Sequence, residues 1–190
     1  MKRSVFLVFL GLLAGIVSSG PLIVEAQADP ADRLVEPDTA EVFYGLKEGK
    51  LIPLERQIAT TVAKTSGLFV MNMKSALEFA GGKSPVRFRS GDPLEFVVRS
   101  ELAWSDFDPN ARYSLRHLDE KKIQREVVIM TGRFGPLGSS TQTTVAQGVL
   151  PVEFSKYGNN SFKLRAGPLP PGEYAVSCIR RQTAFCFGVD

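Results

Sequence analysis

Leu169 to Asp190, LPPGEYAVSCIRRQTAFCFGVD, decides the fold. It reads as two β-strands joined by a turn, the first introduced by a Pro-Pro-Gly corner and the second running to the last residue. It also holds both cysteines of the chain, Cys178 and Cys186. Seven residues separate them, and in a hairpin centred on Gln182 they sit directly opposite each other. In an exported protein that spacing implies a disulfide. Closing a nine-residue loop stabilises a fold by ~2–3 kcal/mol in the chain-entropy picture. Two buried thiols are the alternative. Redox or metal chemistry is disfavoured, because there is no C-x-x-C motif and no nearby histidine.

The N-terminus supplies the compartment. Lys2 and Arg3 precede an apolar run from Val5 to Val17, Ser18 to Pro21 end it, and Ala26-Gln27-Ala28 has the A-x-A form of a cleavage site. Residues 1–28 are therefore expected to be a secretory signal peptide, with Val24-Glu25-Ala26 as an alternative cut. The apolar run is short for a membrane span, which needs ~20 residues, so no transmembrane segment is expected after cleavage. Export to the periplasm or the extracellular space follows. Cleavage would remove Lys2, Arg3 and Glu25 and lower the formal net charge from +3 to about +2. Acidic positions separate the paired cations Arg87/Arg89, Lys121/Lys122 and Arg180/Arg181, so there is no basic stripe for nucleic acid. About 160 residues remain, enough for one domain with a real core.

The mature chain reads as short strands punctuated by turns. Residues 29–41 are polar, contain two prolines and form an extended leader, and residues 42–190 form the domain. Val42 to Leu46 and Leu51 to Leu54 flank Lys47-Glu48-Gly49-Lys50 as a hairpin, with Pro53 confining its strand to an edge or a bulge. Arg56 to Lys64 fits a short helix or a strand. Leu68 to Met73 fits a strand, and Lys74 to Ala80 a helical turn or two ended by Gly81-Gly82. Pro85 to Arg89 and Leu94 to Ser100 are strands around Ser90-Gly91-Asp92-Pro93, with Phe96 and Val98 on one face. Tyr113 to Leu118 and Ile123 to Thr131 read as a strand pair, with a helix through Leu115 to Val127 as the competing reading. Gly132 to Gln147 is the longest expected loop. Val149 to Lys156 and Ser161 to Arg165 make another hairpin. Eight to ten short strands without internal repeats argue for an all-β antiparallel sandwich, immunoglobulin-like in class, with at most one or two short helices.

Candidates for chemistry are few. His117, the only histidine, reads as a core-edge or surface residue, and no serine lies in a G-x-S-x-G elbow. Asp106, Asp108 and Asn110 alternate as at the start of a calcium loop, but Ala111 replaces the glycine and His117 the bidentate glutamate, so an Asx-Pro turn is expected. Gly132, Gly135 and Gly138 are not followed by a phosphate-loop lysine. No catalytic residue, metal or cofactor is expected. Trp104 and Phe107 beside Asp106 and Asp108, with Tyr113 nearby, form the candidate contact surface for a sugar, a small ligand or a partner. Asn159-Asn160-Ser161 is a glycosylation sequon, but the N-terminal segment has a bacterial form.

Leu169-x-Pro171-Gly172-Glu173-Tyr174-x-Val176 resembles the corner of immunoglobulin-like and fibronectin type III-like sandwiches. The resemblance covers about ten residues. It implies that Pro171 and Gly172 form a structural corner and that the Tyr174 hydroxyl hydrogen-bonds back to the backbone there. The chain is also similar to exported bacterial proteins that end in a P-G-E-Y strand and a final F-x-F-G-V-D strand. It departs from antibody-type domains in two ways. Its cysteines are too close together to join two sheets, and Tyr174 precedes Cys178 by four residues rather than two. The expected role is a non-enzymatic module that binds another envelope or extracellular protein or is structural, with docking at the edge strand of Pro53 or the Gly132–Gln147 loop. The alternative is a carbohydrate- or small-ligand-binding module built on Trp104 and the acidic loop.

Overall fold

Glu48 and Gly49 both adopt positive φ, 51° and 73°, the geometry of a two-residue hairpin turn whose twist matches its strands. They join β1 (Phe43–Lys47) to β2 (Lys50–Pro53), with Leu46 opposite Leu51 and Tyr44 opposite Pro53. The computed structural model describes residues 34–102, 108–136, 138–143, 148–178 and 182–190. Beyond β2 these residues form β3 (Glu55–Ile58), β4 (Thr60–Ser66), β5 (Met71–Ala80), β6 (Arg87–Phe88) and β7 (Leu94–Arg99). A four-residue helix α1 (Pro109–Arg112) leads into β8 (Tyr113–Glu120), β9 (Gln124–Gly135), β10 (Gly138–Thr143) and β11 (Val149–Leu150). The chain ends with β12 (Val152–Tyr157), β13 (Ser161–Ala166), β14 (Gly172–Cys178) and β15 (Thr183–Val189). The protein is all-β, and its sheets are antiparallel apart from the short parallel pairing of β6 with β15.

One sheet has the order β12-β13-β7-β1-β2. Pro53 thus lies on an edge strand, where its missing N–H leaves no ladder bond unmade. The other sheet runs β3-β15-β14-β8, and β8 then meets β9 only at Asp119–Glu126 and Glu120–Arg125. Beyond that narrow junction β9, β5 and β4 curl back, so the second sheet becomes a half-barrel. The two faces of β14 and β15 serve different cores. Tyr174, Val176, Phe185, Phe187 and Val189 face the first sheet and pack with Phe43, Phe96, Val98, Phe162 and Leu164. The rings of Phe96 and Phe187 are 4.8 Å apart, and those of Phe43 and Tyr113 are 5.1 Å apart and edge-on. Ala175, Ala184 and Cys186 face the half-barrel and pack with Ala59, Phe79, Leu118 and Val127. Strand alternation alone sends successive side chains to opposite faces. Gly45 is where the cores need room, since a Cβ there would sit 2.5 Å from the Phe88 ring.

The segment before β14 is tied by a side-chain bond. The Tyr174 hydroxyl donates to the Pro170 carbonyl at 2.7 Å. The described part of the leader, residues 34–41, is also anchored. Glu36 accepts from the amides of Asn159 and Asn160 and from the Ser161 hydroxyl, at 2.8, 3.3 and 2.7 Å.

Several expectations change. Lys74 to Ala80 is strand rather than helix, because β5 lies between β4 and β9 and every turn of it is used in pairing. The strand expected from Leu68 starts only at Met71. The described residues of Gly132 to Gln147 are largely hairpin rather than loop: Gly135 and Gly138 are opposite each other where β9 meets β10. Arg87–Phe88 and Leu94–Arg99 do not pair with each other but join different sheets. Pro151 divides Val149 to Lys156 between two sheets. Arg56 to Lys64 and Leu115 to Val127 resolve as strands. The segment expected to be a signal peptide, residues 1–28, lies outside the described residues.

The carboxylate of Glu36 is held below its ordinary value of 4.5, chiefly by the Asn159 amide and then by the Ser161 hydroxyl. A lowered folded value contributes stability that is complete above the ordinary value and lost as pH falls through the lowered one. Glu36→Gln is therefore expected to melt below the wild type near neutrality, with the gap closing below pH 4.5. Melting curves collected from pH 3 to 7 check this, and a constant gap would contradict it.

Candidate functional site

Of the residues expected to make contact with a ligand, Trp104, Asp106 and Phe107 lie outside the described residues. Asp108 is the N-cap of α1, its Oδ1 accepting from the Asn110 amide at 2.9 Å. This is the expected Asx-Pro turn, and it also caps the single helical turn that follows. Tyr113 does not join a surface aromatic patch, because it is only 2% exposed and its ring lies in the sandwich core. His117 is exposed, with its ring 5.2 Å from that of Tyr174.

The expected Cys178–Cys186 disulfide is absent, and Cys186 is a free, fully buried thiol. The backbone register explains why. Ala175 is opposite Cys186 and Ser177 is opposite Ala184, so Cys178 is level with Thr183. Three residues of strand separate the two cysteine positions, about 10 Å, whereas a disulfide needs Cα atoms within about 7 Å. Burial, opposed by the nearby Arg125 guanidinium, pushes the Cys186 thiol up to about 12.

Beside Cys186 lies a cluster of linked charges centred on fully buried Arg125 and Glu173. Arg125 on β9 is fully buried and grips Glu55 on β3 with two parallel bonds, at 2.9 and 3.1 Å. Its remaining donors reach Glu173 on β14 at 3.4 Å and the carbonyls of Gly81 and Ala80 at 3.0 and 2.8 Å. Glu173, 1% exposed, also accepts from the Ser84 amide at 2.8 Å and pairs with Arg87, which in turn pairs with Asp190. Gly188 makes space for this chain of charges, as a Cβ there would lie 1.6 Å from Arg87. Burial works against the Arg125 charge, but the bonds to Glu55 outweigh it and its pKa is raised; burial likewise opposes the Glu55 charge, yet Arg125 keeps that carboxylate low. The arrangement is saturated with internal partners, which suits a strut rather than a reaction centre. Sequence reading missed it. Its one local signal was Glu173, set among apolar alternating positions with the phase of Ala175 rather than of Tyr174.

A different surface faces outward. Beyond the half-barrel wall, β4, β5, β9 and β10 continue side by side as a four-stranded arm. The register shifts between Ser75 and Ala76 on β5, leaving Ile129 as the extra residue on β9. Such a bulge bends and twists a strand, and here it marks where the wall becomes the arm. At the arm's end Leu68 and Phe69 are 89% and 83% exposed, beside half-exposed Met71 and Phe134, which are paired to each other. Val70 packs against the neighbouring hairpin, one of its methyls lying 3.4 Å from the place of a Cβ on Gly135. Gly67 is required for the tight tip, with φ of 109° and the Val70 carbonyl 1.9 Å from where a Cβ would sit. Farther down, Lys64 pairs with Glu78 and Lys74 with Glu126, both at 2.8 Å, so the shaft carries paired charge and the tip is apolar.

No family model matches the chain, and no curated protein matches it.

Two outcomes follow. Addition of a thiol reductant is expected to leave the melting temperature of the oxidised, purified protein unchanged, and a clear drop would reveal a bridge. Arg125→Met takes the guanidinium from half-buried Glu55 and one of the two from buried Glu173, and is expected to cost about 3–5 kcal/mol by urea denaturation. A loss below about 1 kcal/mol would contradict the strut.

Proposed function

We propose that this is an exported, non-enzymatic module that captures a partner protein of the envelope or extracellular space through the apolar tip of the β4-β5-β9-β10 arm. The observation that carries the reading is the exposure of Leu68 and Phe69, 89% and 83%, at the end of an arm whose shaft is charged and paired. Single exposed apolar residues are ordinary, but a contiguous patch of large ones on a projecting element is a frequent docking surface. Met71, Phe134 and Val70 make it contiguous. Leu68, Phe69 and Met71 have few contacts within the chain to lose, so they supply apolar area for a partner without stabilising the monomer.

The half-barrel favours this role mechanically. Arg125 and its carboxylates brace the base of β5 and β9, and a braced base presents the tip with little ordering cost on binding. The edges of the arm, β4 (TTVAKTS) and β10 (GSSTQT), are polar, which discourages the edge-to-edge pairing that exposed strands invite. Specificity then rests on the tip.

Leu68→Ser with Phe69→Ser is expected to change stability by less than about 0.5 kcal/mol. The same double variant should lose the partner that wild-type protein retains from envelope extract, read by pull-down and mass spectrometry. Equal capture by both proteins would place the docking surface elsewhere.

A further inference from the structure

The half-barrel interior contains a cavity of about 190 Å³ between the face of β8, β14 and β15 that carries Leu118 and Ala175 and the face of β5 and β9 that carries Leu77, Phe79 and Val127. Protein interiors rarely leave voids much larger than a water molecule, and an apolar cavity of about 150 Å³ stays dry and binds benzene. In proportion, about 190 Å³ accepts a body of about eight non-hydrogen atoms. Exposed Gln182 borders the cavity on the solvent side. The lining is mostly apolar, with a pair of hydroxyls set into it. Ser114 and Ser177 are opposite each other on β8 and β14, their Oγ atoms 3.2 Å apart. Arg116, engaged within the chain, donates from Nε to Ser114 at 3.4 Å. Two hydroxyls carry two hydrogens, and the bond between them uses one. With Ser114 accepting from Arg116 and donating to Ser177, the hydrogen left over belongs to Ser177, the half-buried member of the pair.

We propose that this cavity binds a compact, uncharged molecule with an apolar body of a single ring or a short chain and one carbonyl oxygen. The oxygen would accept from the Ser177 hydroxyl, and the body would lie against Leu77, Phe79, Val127 and Ile129. A donor chain running Arg116–Ser114–Ser177 polarises its last hydroxyl toward an acceptor. A carbonyl accepts without bringing a donor that the apolar walls would leave unpaired. The same walls select against charge. A carboxylate would be stripped of water without gaining a cation, because Arg116 is engaged within the chain and Arg125 already holds Glu55 by both oxygens. Sugars would strand several hydroxyls against apolar side chains, and long-chain lipids exceed the volume. The cavity is separate from the arm tip, which lies beyond the bulge at Ile129.

The test is a titration of the exported chain with cyclohexanone and, separately, with methylenecyclohexane, read by methyl chemical shifts in NMR. The two probes have nearly the same shape, and only the ketone has an acceptor oxygen. Cyclohexanone is expected to give saturable shifts at Leu77, Leu118, Val127 and Ile129. Ser177→Ala should lower the ratio of ketone to alkene affinity by about two- to tenfold, the worth of one neutral hydrogen bond, while alkene binding is retained. Cyclohexanecarboxylate should bind the wild type more weakly than the ketone does. Absent saturation at those methyls, shifts confined to Leu68 at the arm tip, an unchanged ratio in Ser177→Ala, or tighter binding of the carboxylate would each overturn the proposal. The comparison of ketone with carboxylate needs no variant, so it decides even if Ser177→Ala fails to fold.

Discussion

The buried Arg125 guanidinium is the constraint on which the architecture turns. It is fully buried on β9, yet its bonds reach β3, β14 and the end of β5. These elements belong to two different parts of the second sheet, which β8 and β9 join through only two residue pairs. Without a further tie, so narrow a junction would leave β5 and β9 free to splay from β14 and β15. A hydrophobic contact tolerates sliding, whereas a bidentate ion pair in low dielectric tolerates little. The cluster therefore fixes the angle at which the half-barrel closes.

The consequences spread from that angle in two directions. Inward, the curl leaves the space in which Ser114, Arg116 and Ser177 face Leu77, Val127 and Ile129. Outward, β5 and β9 run past the bulge at Ile129 and become the arm that carries Leu68 and Phe69. Arg87 and Asp190 extend the same cluster to the C-terminal residue, which pins β15, the strand shared by both cores. The cavity and the apolar tip thus both depend on one set of buried charges that touches neither.

Much of the fold was legible in the residues. The Lys47–Lys50 turn, the edge position of Pro53 and the shared face of Phe96 and Val98 all follow from local chemistry, and the structure shows each of them. The cysteine pairing was misread although the alternation already argued against it. Tyr174 and Val176 must share a face with Phe185 and Phe187, and sliding β15 by three residues to bring Cys186 opposite Cys178 would turn those phenylalanines away from the core. Burying two phenylalanines outweighs a short-loop disulfide. The candidate surfaces were less legible. Leu68 to Val70 looks like the start of a strand, because an apolar run carries no mark of being at a tip.

By itself the sequence determined the all-β class, the Lys47–Lys50 turn and the inward faces of strands such as β7, because φ preferences and two-residue alternation act between near neighbours. Only the tertiary structure decided that β6 and β7 separate into different sheets, that the cysteines lie three residues out of register, and that Arg125 meets Glu55 and Glu173. Those pairings join residues 48 to 70 positions apart. At such separations no local preference selects a partner, and the outcome is set by which arrangement buries both apolar faces of β14 and β15 while keeping Arg125 paired with Glu55 and Glu173.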